Sequence, residues 1–152
     1  MATIERKARV PYSVEQMVAL VNDIDAYPEF LHWCHAARIE TTDGDTVVAA
    51  LEIGVSGIYK TIRTRNTTQT ANEHGQSTIA IEMVEGPLKS LRGVWSFDSG
   101  LQGDCDVTLR LDYEVHLSPF GIILRTLFDE IANSQLNAFI KRAGAVYGEG
   151  ND

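Results

Sequence analysis

Hydrophobic and polar positions change period several times along this chain, and each change marks an element. From Thr3 to Val10 the residues alternate. Ile4, Ala8 and Val10 share one side with Arg6, and Glu5, Lys7 and Arg9 take the other, as in a β-strand with one apolar face at the edge of a sheet. At Ser13 the period lengthens. Ser13 and Gln16 are spaced as a capping box and Tyr12 and Met17 as a hydrophobic staple, and Met17, Leu20 and Val21 give the buried face of a helix ending near Asn22 or Asp23. In IDAYPEFLHWCH, Pro28 pushes Tyr27 out of the α region and opens a second short helical turn, rich in aromatics.

Period 2 then takes over. Ala37 and Ile39 begin a strand, Asp43-Gly44 marks a hairpin, and Val47, Ala49, Leu51 and Ile53 alternate on the return. Gly54 and Gly57 loosen the next corner, Ile58 to Thr68 reads as a strand, Glu73-His74-Gly75 as a turn, and Ile79, Ile81 and Met83 as another strand. Gly86-Pro87 breaks it, Leu91, Gly93, Trp95 and Phe97 continue on one face, and Ser99 to Asp104 turns the chain. The clearest alternation follows, with Val107, Leu109, Leu111, Tyr113, Val115 and Leu117 on one side and Asp106, Thr108, Arg110, Asp112, Glu114 and His116 on the other.

The last segment, Ser118 to Gly148, is helical. Ser118 suits the N-cap and Pro119 the first turn. Leu124, Phe128, Ile131, Ala132, Phe139, Ala143 and Val146 recur at helical spacing, Lys141 and Arg142 sit toward the end where the dipole favours cations, and Gly148 supplies the stop. The order is strand, two helices, six strands joined mainly by hairpins, and one long helix. This is an α+β chain: an antiparallel sheet whose dry face must be covered, with only the last helix long enough to cover it. The gap between a curved sheet and that helix is closed at its mouth by the two N-terminal helices.

Length and composition set outer bounds. With 152 residues and 44% hydrophobic content, the chain builds one core and one domain over residues 1–148, leaving Glu149 to Asp152 as a frayed tail. No stretch reaches the apolar length of a membrane span and the first residues lack a signal-peptide core, so the expected location is the cytoplasm or the inner face of a membrane. Cys34 and Cys105 have no metal or disulfide spacing and read as reduced, partly buried thiols. The net charge of −8 argues against DNA binding through a broad basic stripe. Two local groups of cations remain, Lys60, Arg63 and Arg65 in one strand and Lys89 and Arg92 in another, and ordinary solvated faces account for both.

Catalytic motifs are missing. No GxSxG, HExxH, P-loop or GxGxxG pattern occurs. His32 and His35 are spaced to share a metal on a helical turn, but further ligands are lacking, with His74 in a turn and His116 on a wet strand face. Asp23 and Asp25 read as helix-end and turn residues rather than a carboxylate pair.

The order of elements, VPYSVEQMVALVNDIDAYPEFLHWC, the GPLKSLRGVWSF strand and the ending AFIKRAGAVYG together resemble the START-like helix-grip (Bet v 1-like) proteins of the coenzyme Q-binding and ribosome-association-toxin group, often labelled polyketide cyclase or dehydrase. The resemblance covers Thr3 to Tyr147. Where that group commonly has a proline after the FL pair and an aromatic after GP, this chain has His32 and Leu88. The resemblance implies a hydrophobic tunnel for ubiquinone or another polyisoprenoid lipid and a role in respiration. It also implies, for bacterial members, binding to the large ribosomal subunit that blocks subunit association.

An apolar, aromatic-rich lining with a few placed polar groups suits such a pocket. Its candidates are Tyr27, Phe30 and Trp33 at the mouth, Leu88, Trp95 and Tyr113 on the sheet, and Phe128, Gln135 and Phe139 on the long helix. Gln135 falls inside the apolar stripe, where a quinone carbonyl or a water would satisfy its amide. Three functions follow in order: a non-enzymatic binder of a hydrophobic molecule with no cofactor and no metal; a ribosome-docking protein using Lys60, Arg63, Arg65, Lys89 and Arg92; and a cyclase acting on a poly-β-ketone.

Overall fold

The computed structural model describes residues 2–55, 57–71 and 75–148. The expected turn at Glu73 and His74 and the tail from Glu149 to Asp152 lie outside the described residues. The elements are β1 (Ala2–Val10), α1 (Val14–Asn22), a 3-10 helix (Ile24–Glu29), β2 (Cys34–Asp43), β3 (Thr46–Val55), β4 (Ile58–Gln69), β5 (Gln76–Glu85), β6 (Ser90–Ser99), β7 (Cys105–Glu114) and α2 (Pro119–Tyr147). They form a seven-stranded antiparallel sheet in the order β1-β7-β6-β5-β4-β3-β2, curved around α2.

From β2 to β7 each strand pairs with its successor. The first strand instead pairs with the last, from Ala2 opposite Tyr113 to Val10 opposite Cys105. The chain must therefore cross from one sheet edge to the other between Val10 and Cys34, and α1 and the 3-10 helix make that crossing. The start of α1 is fixed by local chemistry. The Ser13 side chain accepts from the Gln16 N–H at 3.1 Å while the Ser13 N–H donates to Gln16 Oε1 at 2.9 Å, the reciprocal capping box expected from the sequence. At α2, Ser118 Oγ accepts from the Gly121 N–H at 2.9 Å with Pro119 in the first turn.

The core lies between the concave face of the sheet and α2, closed by α1. Met17, Ile79, Phe97, Cys105, Val107, Phe139 and Ala143 are wholly buried. Phe139 stands edge-on to Tyr27, Phe30 and Trp95, with ring centroids 5.4, 5.1 and 5.1 Å away.

Several expectations are corrected. The second helix is of 3-10 type and begins at Ile24, so Pro28 lies within it instead of opening it. The last strand ends at Glu114, because β1 and β6 supply no partner beyond Tyr113 and Glu114; Leu117 is fully exposed and His116 is off the strand. On α2 the buried face is Leu124, Leu127, Phe128, Ile131, Ala132, Leu136, Phe139 and Ala143, while Val146 is exposed. Lys141 and Arg142 precede the last turn; Arg142 instead approaches Glu29 at 3.5 Å and stacks over Phe30 at 5.1 Å. That ties α2 to the 3-10 helix.

Candidate ligand-binding site

A cavity of about 80 Å³ lies between the sheet and α2. Alternation builds its floor: Leu51 and Ile53 of β3, Ile62, Thr64 and Asn66 of β4, Ile81 of β5, Leu91 and Trp95 of β6, and Leu109 and Leu111 of β7 point inward. Phe128, Ile131 and Gln135 of α2 form the roof, and Tyr27 and Trp33 close the end reached by the 3-10 helix. Of the two N-terminal helices expected at the mouth, the 3-10 helix lines the cavity, through Tyr27, and α1 does not.

Polar groups are few and differently placed. The Tyr27 hydroxyl donates to the Val21 carbonyl, and burial pushes its pKa well above the usual phenol value. Asn66 is only 8% exposed and its Oδ1 has no hydrogen-bond partner; Gln135 Oε1 is likewise buried and unpartnered. Burying an acceptor without a donor costs about 1–3 kcal/mol. The cavity lining contains no Asp, Glu, His, Lys, Arg or Cys.

Of the residues nominated from the sequence, the cavity gathers Tyr27, Trp33, Trp95, Phe128 and Gln135. Phe30 and Phe139 lie behind it in the aromatic core, and Leu88 is buried before β6. Tyr113 opens onto a different recess of about 350 Å³ with Lys89, His116 and Arg125. There it donates to Asp129, and burial, with that carboxylate, raises its pKa. Asn66 and Thr64 were missed. In the sequence they look like the polar end of a strand; only their common parity with Ile62 places them inside.

The cations proposed for docking do not form one patch. Arg65 and Arg92 flank Glu82 across β4, β5 and β6 on the outer face. Arg63 shares that face but is held by Glu40 at 3.0 Å and Glu85 at 3.1 Å; the Arg63 hydrogen bond in turn holds the Glu40 carboxyl below its ordinary range. Lys60 has inward parity, opposite Ile53, and lies over the Phe120 ring at 5.0 Å. Lys89 precedes β6 and pairs with Glu114 at 3.2 Å. The histidines are also dispersed: His32 meets Glu130 at 3.0 Å, and His35 stands edge-on to Tyr59. Among the described residues no group of three or more His, Cys, Asp or Glu side chains could hold a metal ion, and no helix is long and apolar enough to cross a membrane.

A small apolar cavity gripped between a curved antiparallel sheet and a long C-terminal helix defines a helix-grip protein. Residues 10–140 match the family described as polyketide cyclase / dehydrase and lipid transport, and the chain belongs to that family. Within it, the chain is 40% identical over 148 residues to the ribosome association toxin RatA of Escherichia coli (strain K12), covering 97% of this chain and 90% of that protein. It is 25% identical over 141 residues to the mitochondrial coenzyme Q-binding protein COQ10 homolog B of Xenopus laevis, covering 90% of this chain and 56% of that one. The crystal structure of the STAR-related lipid transfer protein from Xanthomonas axonopodis superposes with a TM-score of 0.79 over 93% of this chain and 85% of that one, at 14% identity. The fold read from the sequence is the one found.

Proposed function

We propose that this chain is a non-catalytic binder of a neutral, largely apolar molecule of the quinone or polyisoprenoid class. One observation carries the reading: an apolar cavity between sheet and helix that holds two unpartnered amide oxygens and no charged side chain. A cyclase needs an acid or base facing its substrate, and the one titratable lining group, Tyr27, has its proton committed to a backbone carbonyl. The relative named a coenzyme Q-binding protein supports the ligand class.

Size constrains the mechanism. The cavity, about 80 Å³, is smaller than the ~150 Å³ hole that takes up benzene, so entry of a ring requires the Tyr27–Trp33 segment to move. That segment is tied to α2 by the exposed His32–Glu130 contact, worth roughly 0–1 kcal/mol, by the half-buried Arg142 against Glu29 and Phe30, and by the Tyr27 and Phe30 rings against Phe139. Each CH₂ then buried returns about 0.8 kcal/mol. Purification from a quinone-producing host, solvent extraction and mass spectrometry against an unrelated control protein should yield a stoichiometric quinone or isoprenoid. An empty extract counts against the reading, and turnover of a model poly-β-ketone would replace it with the cyclase.

A second reading, association with the large ribosomal subunit, is favoured by the 40% identity to a ribosome association toxin over nearly the whole chain. Arg65 and Arg92 are its best-placed cations, since Arg63 is already neutralised by two carboxylates. Co-sedimentation with large subunits should be lost in the double variant Arg65→Glu, Arg92→Glu; undiminished co-sedimentation rejects this face.

A further inference from the structure

We propose that Asn66 and Gln135 form a head-group subsite and that the group they take is a neutral hydrogen-bond donor: the hydroxyl of an alcohol, a phenol or a quinol. The inference rests on the binding reading above and narrows it to one kind of head.

The two amides come from opposite walls. Asn66 rises from β4, opposite Val47 of β3 in the ladder and one inward position beyond Thr64. Gln135 descends from α2 between Ile131 and Phe139, one helical turn from each. Three buried side-chain oxygens among the described residues have no partner, and two of them, Asn66 Oδ1 and Gln135 Oε1, belong to this one cavity. The third, Asp104 Oδ1, lies away from it at the β6–β7 turn. Buried polar atoms are ordinarily satisfied, so two unmet acceptors on residues that line one cavity specify what should enter it.

Charge removes most alternatives. A carboxylate or phosphate head would be buried here without a cation, and an amine without an anion, because the lining carries neither. With the two amides oriented as they stand, neutral acceptors such as a quinone carbonyl, an ester or a methoxy group leave both amide oxygens unmet. A hydroxyl meets them, and its ring or chain is received by Trp33, Leu91, Trp95 and Phe128. For a redox-active ring the consequence is thermodynamic: a protein that binds quinol tenfold more tightly than quinone raises the midpoint potential of the bound couple by about 30 mV.

The test compares ligand pairs under anaerobic conditions by titration calorimetry. The probes are a ubiquinol with one isoprene unit, the matching quinone, the quinol dimethyl ether and palmitate. The expected order is quinol bound about tenfold more tightly than quinone or ether, with palmitate not bound. Asn66→Leu and Gln135→Leu should each bring the ratio of quinol to quinone affinity down toward one. Equal affinity for quinol and quinone, or a ratio untouched in both variants, overturns the subsite and leaves the binding reading standing. No binding of any probe overturns both. The wild-type comparison decides alone if either variant fails to fold.

Discussion

Phe139 meets no solvent and holds three aromatic rings edge-on, so it joins the 3-10 helix to the centre of the sheet through one side chain. Phe139→Ala should cost about 3–5 kcal/mol, read as a fall in the urea midpoint. The two thiols give a different test. Burial pushes Cys34 and Cys105 each up to about 11 from 9.0. The folded chain keeps these protons after the unfolded chain has lost them, so their contribution is intact below pH 9 and is lost as pH rises toward 11. Urea midpoints measured across that window should fall with pH, and alanine at both positions should flatten the fall. Asn66 and Gln135 divide at this scale. Gln135 was legible, because an amide between Ile131 and Phe139 breaks an apolar stripe. Asn66 was not, because in the run TRNTT it is one polar residue among others and nothing local separates the inner face from the outer.

Among the elements, those with strict alternation or a marked cap were legible. Ser13, Gln16 and Ser118 name their helix starts because the capping bonds involve residues only three positions apart. Ser118→Ala should lower stability by about 0.5–2 kcal/mol, measured by thermal or urea unfolding. Strand ends were less legible, since pairing partners distant in sequence set them: Val115 and Leu117 continue the pattern of β7 but have no strand to join. The 3-10 helix is the element whose hold on the rest is most easily tested. Arg142→Ala removes both the Glu29 pair and the contact with Phe30. It should speed amide hydrogen exchange in the Ile24–Glu29 helix while leaving β6 and β7 protected. Uniform exchange across the chain would mean that Arg142 supports the whole core instead.

For the molecule as a whole, the net charge of −8 coexists with an outer sheet face on which opposite charges alternate. Sequence proximity suggested a basic cluster, but strand parity puts Lys60, though exposed, on the opposite side of β4 from Arg63 and Arg65, and pairing gives Arg63 to Glu40 and Glu85. Both ends of the sheet are open edges, β1 and β2. The second is protected by Arg38 and Glu40 and by two irregularities in its pairing with β3. The first has a consequence in time. Strand β1 pairs only with β7, and about 95 residues separate them. At the ~5–20 residues per second of synthesis, each newly made chain carries an unpaired strand for roughly 5 to 20 s before its partner exists. Through that interval Glu5, Lys7 and Arg9 keep one side of the single strand solvated.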